Sequence, residues 1–195
     1  MTIKRYKLAY YIHTGAHTEQ EIINLKNNDY EAINKWNNVT KLALEQCNIN
    51  NIDYIVRALG SKEVTATSLK PLDLIAQTIS SKLDCEYVPE RLRKKSITEP
   101  LKFAGNKINR SCIIKDSYIF DNSNIKSDST IMILDDLYTT GATTEEIIRS
   151  IHKCDNSINI VIFTLLETVY RRNYTFEQLK KKEEYNEKFY SKFLA

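Results

Sequence analysis

Four cysteines, Cys47, Cys85, Cys112 and Cys154, stand too far apart for a C-x-x-C pair, which leaves a zinc ribbon without its ligand spacing. An even count alone is no disulfide framework in a chain of 195 residues, so reduced and mostly buried thiols are expected. His13, His17 and His152 show no ligand spacing either. No stretch approaches the roughly 20 apolar residues of a membrane helix. The opening MTIKRYKLAYYIHTGAH lacks the long apolar core of a signal peptide, and a cytoplasmic protein with no membrane partner is expected. A net charge of +3 is too small to indicate nucleic acid without a basic patch. Internal repeats and low-complexity tracts are absent from the sequence.

What remains is the composition of an ordinary globular domain, 42% hydrophobic and 27% charged, in a chain suited to one core rather than two. YKLAYYIH, residues 6–13, reads as a first strand ended by Thr14-Gly15. TEQEIINLKNN follows as a helix, with Thr18 and Glu21 spaced as a capping box. YEAINKWNNVTKLALEQCN brings Ile33, Trp36, Val39, Leu42 and Leu44 to one helical face. IDYIVRAL (52–59) suits a buried strand, SLKPLDLIAQTISSKLD a helix and CEYVP a short strand, together one βαβ unit. From residue 90 to about 126 the chain is charged and aperiodic, with SYIF a short strand near its end. TIMIL (130–134), TTEEIIRSIHKC and INIVIFTLL (158–166) read as strand, helix and strand. Alternation of this kind predicts an α/β fold with a largely parallel sheet. The last segment, TFEQLKKKEEYNEKFYSKFLA, is a charged helix with Phe176, Leu179, Tyr185, Phe189 and Phe193 as a loose apolar stripe, suited to docking or to a dimer.

The chemistry concentrates in STIMILDDLYTTGATTEEI, residues 129–147. In parallel sheets ligands sit beyond the carboxyl ends of the strands, which is where Asp135 and Asp136 fall. Adjacent acids at a strand end can fan apart toward neighbouring sugar hydroxyls. Immediately afterwards TTGAT (139–143) offers hydroxyls, a glycine that admits close backbone approach, and the N–H groups of an opening helix. Those are the parts of an anion cradle. Ribose 5-phosphate carries a vicinal diol and a phosphate and would engage both halves.

The thirteen positions IMILDDLYTTGAT, Ile131 to Thr143, resemble the phosphoribosyl pyrophosphate (PRPP) motif of type I phosphoribosyltransferases. By that resemblance Asp135 and Asp136 hold the ribose hydroxyls, and Thr139, Thr140, Gly141, Ala142 and Thr143 hold the 5-phosphate. The resemblance implies a second loop, for pyrophosphate, and RALGSKE (57–63) stands in its place. Its backbone N–H groups around Leu59, Gly60 and Ser61 would receive oxygens, with Arg57 or Lys62 supplying charge, although a plain strand-end turn fits those residues equally. It implies also a closing loop over about 100–112, with Lys102, Lys107 and Arg110 as its cations. Lys107 and Arg110 would join Asp135 and Asp136 as the catalytic set. The order of segments looks most like the ComF-type branch, whose cysteine zinc module is missing here. The basic run RLRKK (91–95) either faces pyrophosphate or forms a solvated face, the commoner meaning of such a run.

The expectation is one type I phosphoribosyltransferase-like domain over 1–195: a mainly parallel twisted sheet flanked by helices, core about 20–166, with a small N-terminal or hood part and a helical tail from about 175. Its implied activity is transfer of the phosphoribosyl group from PRPP to a nitrogen nucleophile. Magnesium would be bound largely through PRPP with no dedicated protein metal site, a base or nucleotide would be the second partner, and a homodimer is allowed. Thr139 and Ala142 stand where 6-oxopurine phosphoribosyltransferases carry an acid and a lysine, and a threonine hydroxyl is no base near neutral pH. A non-catalytic module binding PRPP or a nucleotide is therefore the competing class. An aspartyl phosphatase fits poorly, since it wants acids two residues apart.

Overall fold

A computed structural model describes residues 2–96 and 112–194. Five parallel strands form the central sheet: β1 (Ile3–Tyr11), β2 (Tyr54–Arg57), β3 (Glu86–Tyr87), β6 (Thr130–Tyr138) and β7 (Asn159–Thr168), in the order β1-β7-β6-β2-β3. A separate antiparallel pair, β4 (Leu92–Lys94) with β5 (Tyr118–Phe120), stands beside it. The helices are α1 (His17–Lys26), α2 (Tyr30–Gln46), α3 (Pro71–Leu83), α4 (Ala142–Cys154) and α5 (Phe176–Phe193).

Side-chain alternation along the middle strands divides the core in two. Met132, Leu134, Val161 and Phe163 pack with α1, α2, α3 and Phe189 of α5. Ile131, Ile133, Ile160 and Ile162 pack with Ile147 and Ile151 of α4 and with Leu92, Tyr118 and Phe120 of the small sheet. Both faces being covered explains why TIMIL and INIVIFTLL are continuous apolar runs. Trp36 is fully buried between sheet and helices, and its indole N–H donates to the Glu21 carbonyl.

Several boundaries differ from the sequence pattern. The N-terminal residues, expected as a small part beside the core, enter the main sheet: β1 pairs with β7 from Ile3 to Tyr11. The hood-like element is instead the mid-chain pair β4-β5. Asp135 and Asp136 lie inside β6, which continues to Tyr138 because Asp135 and Tyr138 remain paired to Thr164 and Glu167. Leu42 is 41% exposed, since α2 turns that position away from the sheet. Cys47, Cys112 and Cys154 are exposed rather than buried, and all four thiols are free. Cys47 and Cys154 sit at helix ends, where the apolar stripe has run out. No helix among the described residues is long and apolar enough to cross a membrane.

The tail helix α5 docks. Its Asn186 donates to the Tyr10 carbonyl and accepts the Tyr10 N–H, and Tyr185 donates to the Leu8 carbonyl. These side chains satisfy edge groups of β1 that a further strand would otherwise seek. Phe176, by contrast, is 81% exposed.

At the start of α1 no Thr18–Glu21 box forms. Ala16 occupies the cap and Thr18 is buried in the first turn. Glu19 does the work instead: its buried carboxylate accepts N–H groups of Ile12 (2.7 Å), Thr14 (3.2 Å) and Gly15 (3.1 Å), fixing the chain as it leaves β1. Removing it takes a charged acceptor from three amides at once and leaves that of Ile12 in a buried position. Glu19→Ala is expected to lower unfolding free energy by about 3 kcal/mol, read as a shift of the urea midpoint at unchanged slope.

Candidate functional site

Because all strands of the main sheet are parallel, the end of β6 and the end of β2 open on the same side. Three groups of residues meet there.

The first is the turn from β6 into α4. Gly141 adopts φ +82° and caps the helix, a left-handed conformation that side chains resist. A Cβ at that position would also run into the Tyr138 hydroxyl. The Gly141 carbonyl accepts the Glu145 N–H at 2.8 Å and the Thr144 hydroxyl at 2.9 Å, starting the helix. The cap position is a glycine and makes no side-chain capping bond to the first-turn N–H groups. The Thr140 hydroxyl is buried and has no hydrogen-bond partner among the described residues. Open helix amides, the positive end of a helix and an orphaned hydroxyl are what an anion would satisfy. Tyr138 lies over this turn, with the Arg5 guanidinium 4.5 Å from its ring centre.

The second group is the acid pair. Asp136 points toward α1, where Lys26 Nζ lies 2.9 Å from its carboxylate. Burial of that ammonium opposes its charge, but Asp136 outweighs it and the Lys26 pKa is raised. Asp135 accepts the Asp136 N–H at 2.9 Å and shares its surroundings with Lys94 and Tyr118. Withdrawal from water, and second the neighbouring Asp136 charge, push the Asp135 pKa up to about 8. Burial thus favours the uncharged Asp135 carboxyl, a form that can donate as well as accept.

The third group is the loop after β2. Arg57 and Ala58 are buried, and the Ala58 N–H donates to the Leu134 carbonyl at 2.8 Å, so the loop starts one strand away from the acids. A cavity of about 320 Å³ joins the second and third groups, lined among others by Lys26, Gly60, Ser61, Lys62, Lys70 and Asp136. Lys94 Nζ donates to the Gly60 carbonyl at 2.8 Å from the opposite side. Burial lowers the Lys94 pKa to about 8, against the raising influence of Glu63 and Asp135.

The sequence-predicted residues are thus only partly assembled as expected. Asp135, Asp136 and Thr139–Thr143 are contiguous at the mouth of the sheet. Gly60, Ser61 and Lys62 share the cavity with Asp136. Leu59 packs into the core, and its carbonyl accepts the Tyr118 hydroxyl. Arg57 corrects the expectation most. Its side chain is 2% exposed and committed to Glu63 at 2.8 Å and Asp73 at 2.5 Å, so it braces the loop from beneath. Lys102, Lys107 and Arg110, with nearly all of the closing loop, lie outside the described residues. Sequence reasoning missed Lys26, which has no motif around it. For RLRKK the sequence left a pyrophosphate-facing run and a solvated face both open, and the strand alternation Leu92-in, Arg93-out, Lys94-in buries Lys94 while Arg93 stays exposed. Among the described residues no group of three or more His, Cys, Asp or Glu side chains is placed to hold a metal.

Comparison with known proteins gives no matching family model, and no curated protein sequence matches. Solved structures of adenine phosphoribosyltransferases do match. The enzyme of Saccharomyces cerevisiae, complexed with adenine and an imino-altritol bisphosphate, is 19% identical over 73% of this chain and 72% of its own, with a TM-score of 0.46. That of Thermoanaerobacter pseudethanolicus is 15% identical over 73% and 83%, TM-score 0.46. The Leishmania donovani protein is 11% identical over 78% and 75%, TM-score 0.40.

A raised carboxyl pKa has a definite sign in stability. The folded state holds the Asp135 proton more tightly than the unfolded chain does, so this residue's contribution is fully present below about pH 4 and lost as pH rises through about 8. Asp135→Asn removes that loss. The variant is expected to melt higher than the parent at pH 8, with the difference shrinking toward pH 4 in parallel thermal melts.

Proposed function

We propose that the protein binds PRPP and transfers its 5-phosphoribosyl group to a nitrogen nucleophile of a base or nucleotide, releasing pyrophosphate. One observation carries this reading: an acid pair near the end of one strand is followed at once by a glycine-capped helix-entry turn, with a cavity holding three lysines beside the acids. The 5-phosphate meets the N–H groups at Gly141 to Thr143 and the Thr140 hydroxyl. The ribose diol lies over Asp135 and Asp136, whose carboxyl oxygens accept from its hydroxyls, and Asp135, its charge disfavoured by burial, can donate as well. The diphosphate then extends into the cavity toward Gly60, Ser61, Lys62 and Lys26.

In this reaction positive charge develops at the anomeric carbon while negative charge grows on the departing diphosphate. Lysines fixed in the cavity stabilise the second charge without reorganising. The ionised member of the acid pair, below the sugar, favours the first. Magnesium fits as a companion of the diphosphate: the site offers hard carboxylate oxygens, too few to hold the ion without phosphate ligands. When bound it supplies further positive charge to the leaving group.

A second reading, a non-catalytic module of the same fold, draws support from the turn itself. Thr139 and Ala142 provide neither acid nor base for a nucleobase. Release of pyrophosphate from PRPP and magnesium in the presence of a panel of bases separates the two. Turnover with any base supports the enzyme, and tight PRPP binding with no turnover across the panel supports the module.

Binding itself depends on Gly141 in either case. Gly141→Val meets both the left-handed backbone and the Tyr138 hydroxyl. It is expected to abolish binding of PRPP, ribose 5-phosphate and nucleoside monophosphates together in calorimetry, with helix content by circular dichroism retained. A variant that keeps nucleoside monophosphate affinity would show that residues 139–143 only start a helix.

A further inference from the structure

The loop between β2 and α3 already carries an anion. Glu63 reaches back over it, and its Oε2 accepts the Gly60 N–H at 2.6 Å. The same carboxylate takes two hydrogen bonds from the Arg57 guanidinium, at 2.9 and 2.8 Å, and one from the Thr67 hydroxyl at 2.7 Å. The Glu63 side chain is only 11% exposed although its loop borders the cavity. A planar guanidinium, a loop amide and a hydroxyl converging on two oxygens form a donor set that suits phosphate as well as carboxylate.

Resting on the reading of the site as a PRPP pocket, we infer that Glu63 is a built-in stand-in for a pyrophosphate oxygen. Ligands that extend a diphosphate onto Gly60 must displace it, whereas 5-monophosphates need not. Three features make displacement feasible. The bond to Gly60 is made by a side chain and not by the backbone ladder. Arg57 keeps Asp73 as a partner when Glu63 leaves, and Asp73 is itself held by the Lys70 N–H and the Tyr87 hydroxyl. Lys26, Lys62 and Lys70 around the cavity supply the charge that favours an incoming diphosphate over one carboxylate. After transfer, return of Glu63 to Gly60 would help expel pyrophosphate. The arrangement makes Glu63 a specificity-determining residue, one that weakens diphosphate binding relative to monophosphate binding.

The test uses inorganic pyrophosphate and ribose 5-phosphate as separate probes, titrated by calorimetry with magnesium into the parent, Glu63→Gln and Thr67→Val. Glu63→Gln removes the competing charge and should tighten pyrophosphate by about tenfold, leaving ribose 5-phosphate within about twofold. Thr67→Val keeps the Glu63 charge and its Arg57 pair but loosens the carboxylate, so it should shift pyrophosphate affinity the same way by less. It carries the test even where Glu63→Gln compromises folding. Unchanged or weaker pyrophosphate binding in the variants that melt cooperatively overturns the inference. Failure of ribose 5-phosphate to bind any of the three, with pyrophosphate still tightened, counts against the phosphate turn and leaves the role of Glu63 standing.

Discussion

Parallel pairing of β2 with β6 is the constraint on which the site depends. Arg57 is registered against Leu134, and the next amide, Ala58, bonds the Leu134 carbonyl. That places the loop after β2 beside Asp135 and Asp136 with no direct contact between their side chains. A shift of one residue would turn Arg57 to the other face and separate Gly60 from the acids. The apolar runs of the two strands, buried on both faces, hold that register. Site geometry is therefore a consequence of core packing, and the loops need little order of their own to find each other.

Charge burial is the second theme. Arg57 sits under the loop with Glu63 and Asp73, and its pKa is raised because the two carboxylates outweigh its burial. Glu63, despite its own burial, is held at about 2 by Arg57, Thr67 and Gly60. Breaking such a cluster by removing one member is costly, because it leaves a buried charge uncompensated. Asp135 is the opposite case. Its charge is opposed by burial and by the Asp136 charge, and Lys26 and the Asp136 N–H relieve it only in part. One end of the sheet thus holds a satisfied ionic network and, beside it, a carboxyl whose charge its surroundings oppose, and perturbed groups of the second kind concentrate where ligands bind.

Legibility in the sequence followed the same division. Strands β6 and β7, helix α4 and the turn between them were readable because burial on both faces and a glycine with φ above zero leave marks at fixed spacing. The role of Arg57 was not, since an arginine next to a glycine loop looks alike whether it faces solvent or Asp73. Deciding that requires α3, sixteen residues away in sequence, to bring Asp73 under the strand. Lys26 reaches Asp136 across more than a hundred positions. Glu19 was hidden for a smaller reason, because the capping pattern on Thr18 and Glu21 matched a rule that the first helix does not use, although the tail helix uses it at Thr175 and Gln178.

The two kinds of charge are linked through the cavity they share. Lys26 and Asp136 line one wall and Glu63 with Gly60 the other. A dianionic ligand between them would attract Lys26 and so draw it from Asp136. It would also compete with Glu63 for the Gly60 amide. Loss of Lys26 from the acids would push the Asp135–Asp136 pair further toward its protonated form, the state that can donate to a sugar hydroxyl. On the proposed reading, occupation of the diphosphate side would thereby alter how the ribose side binds, with no change in the fold between them. The coupling is reciprocal by linkage. On that reading a ribose held by the acids would release Lys26 toward the cavity, and so lower the barrier that Glu63 sets to the diphosphate end of the same molecule.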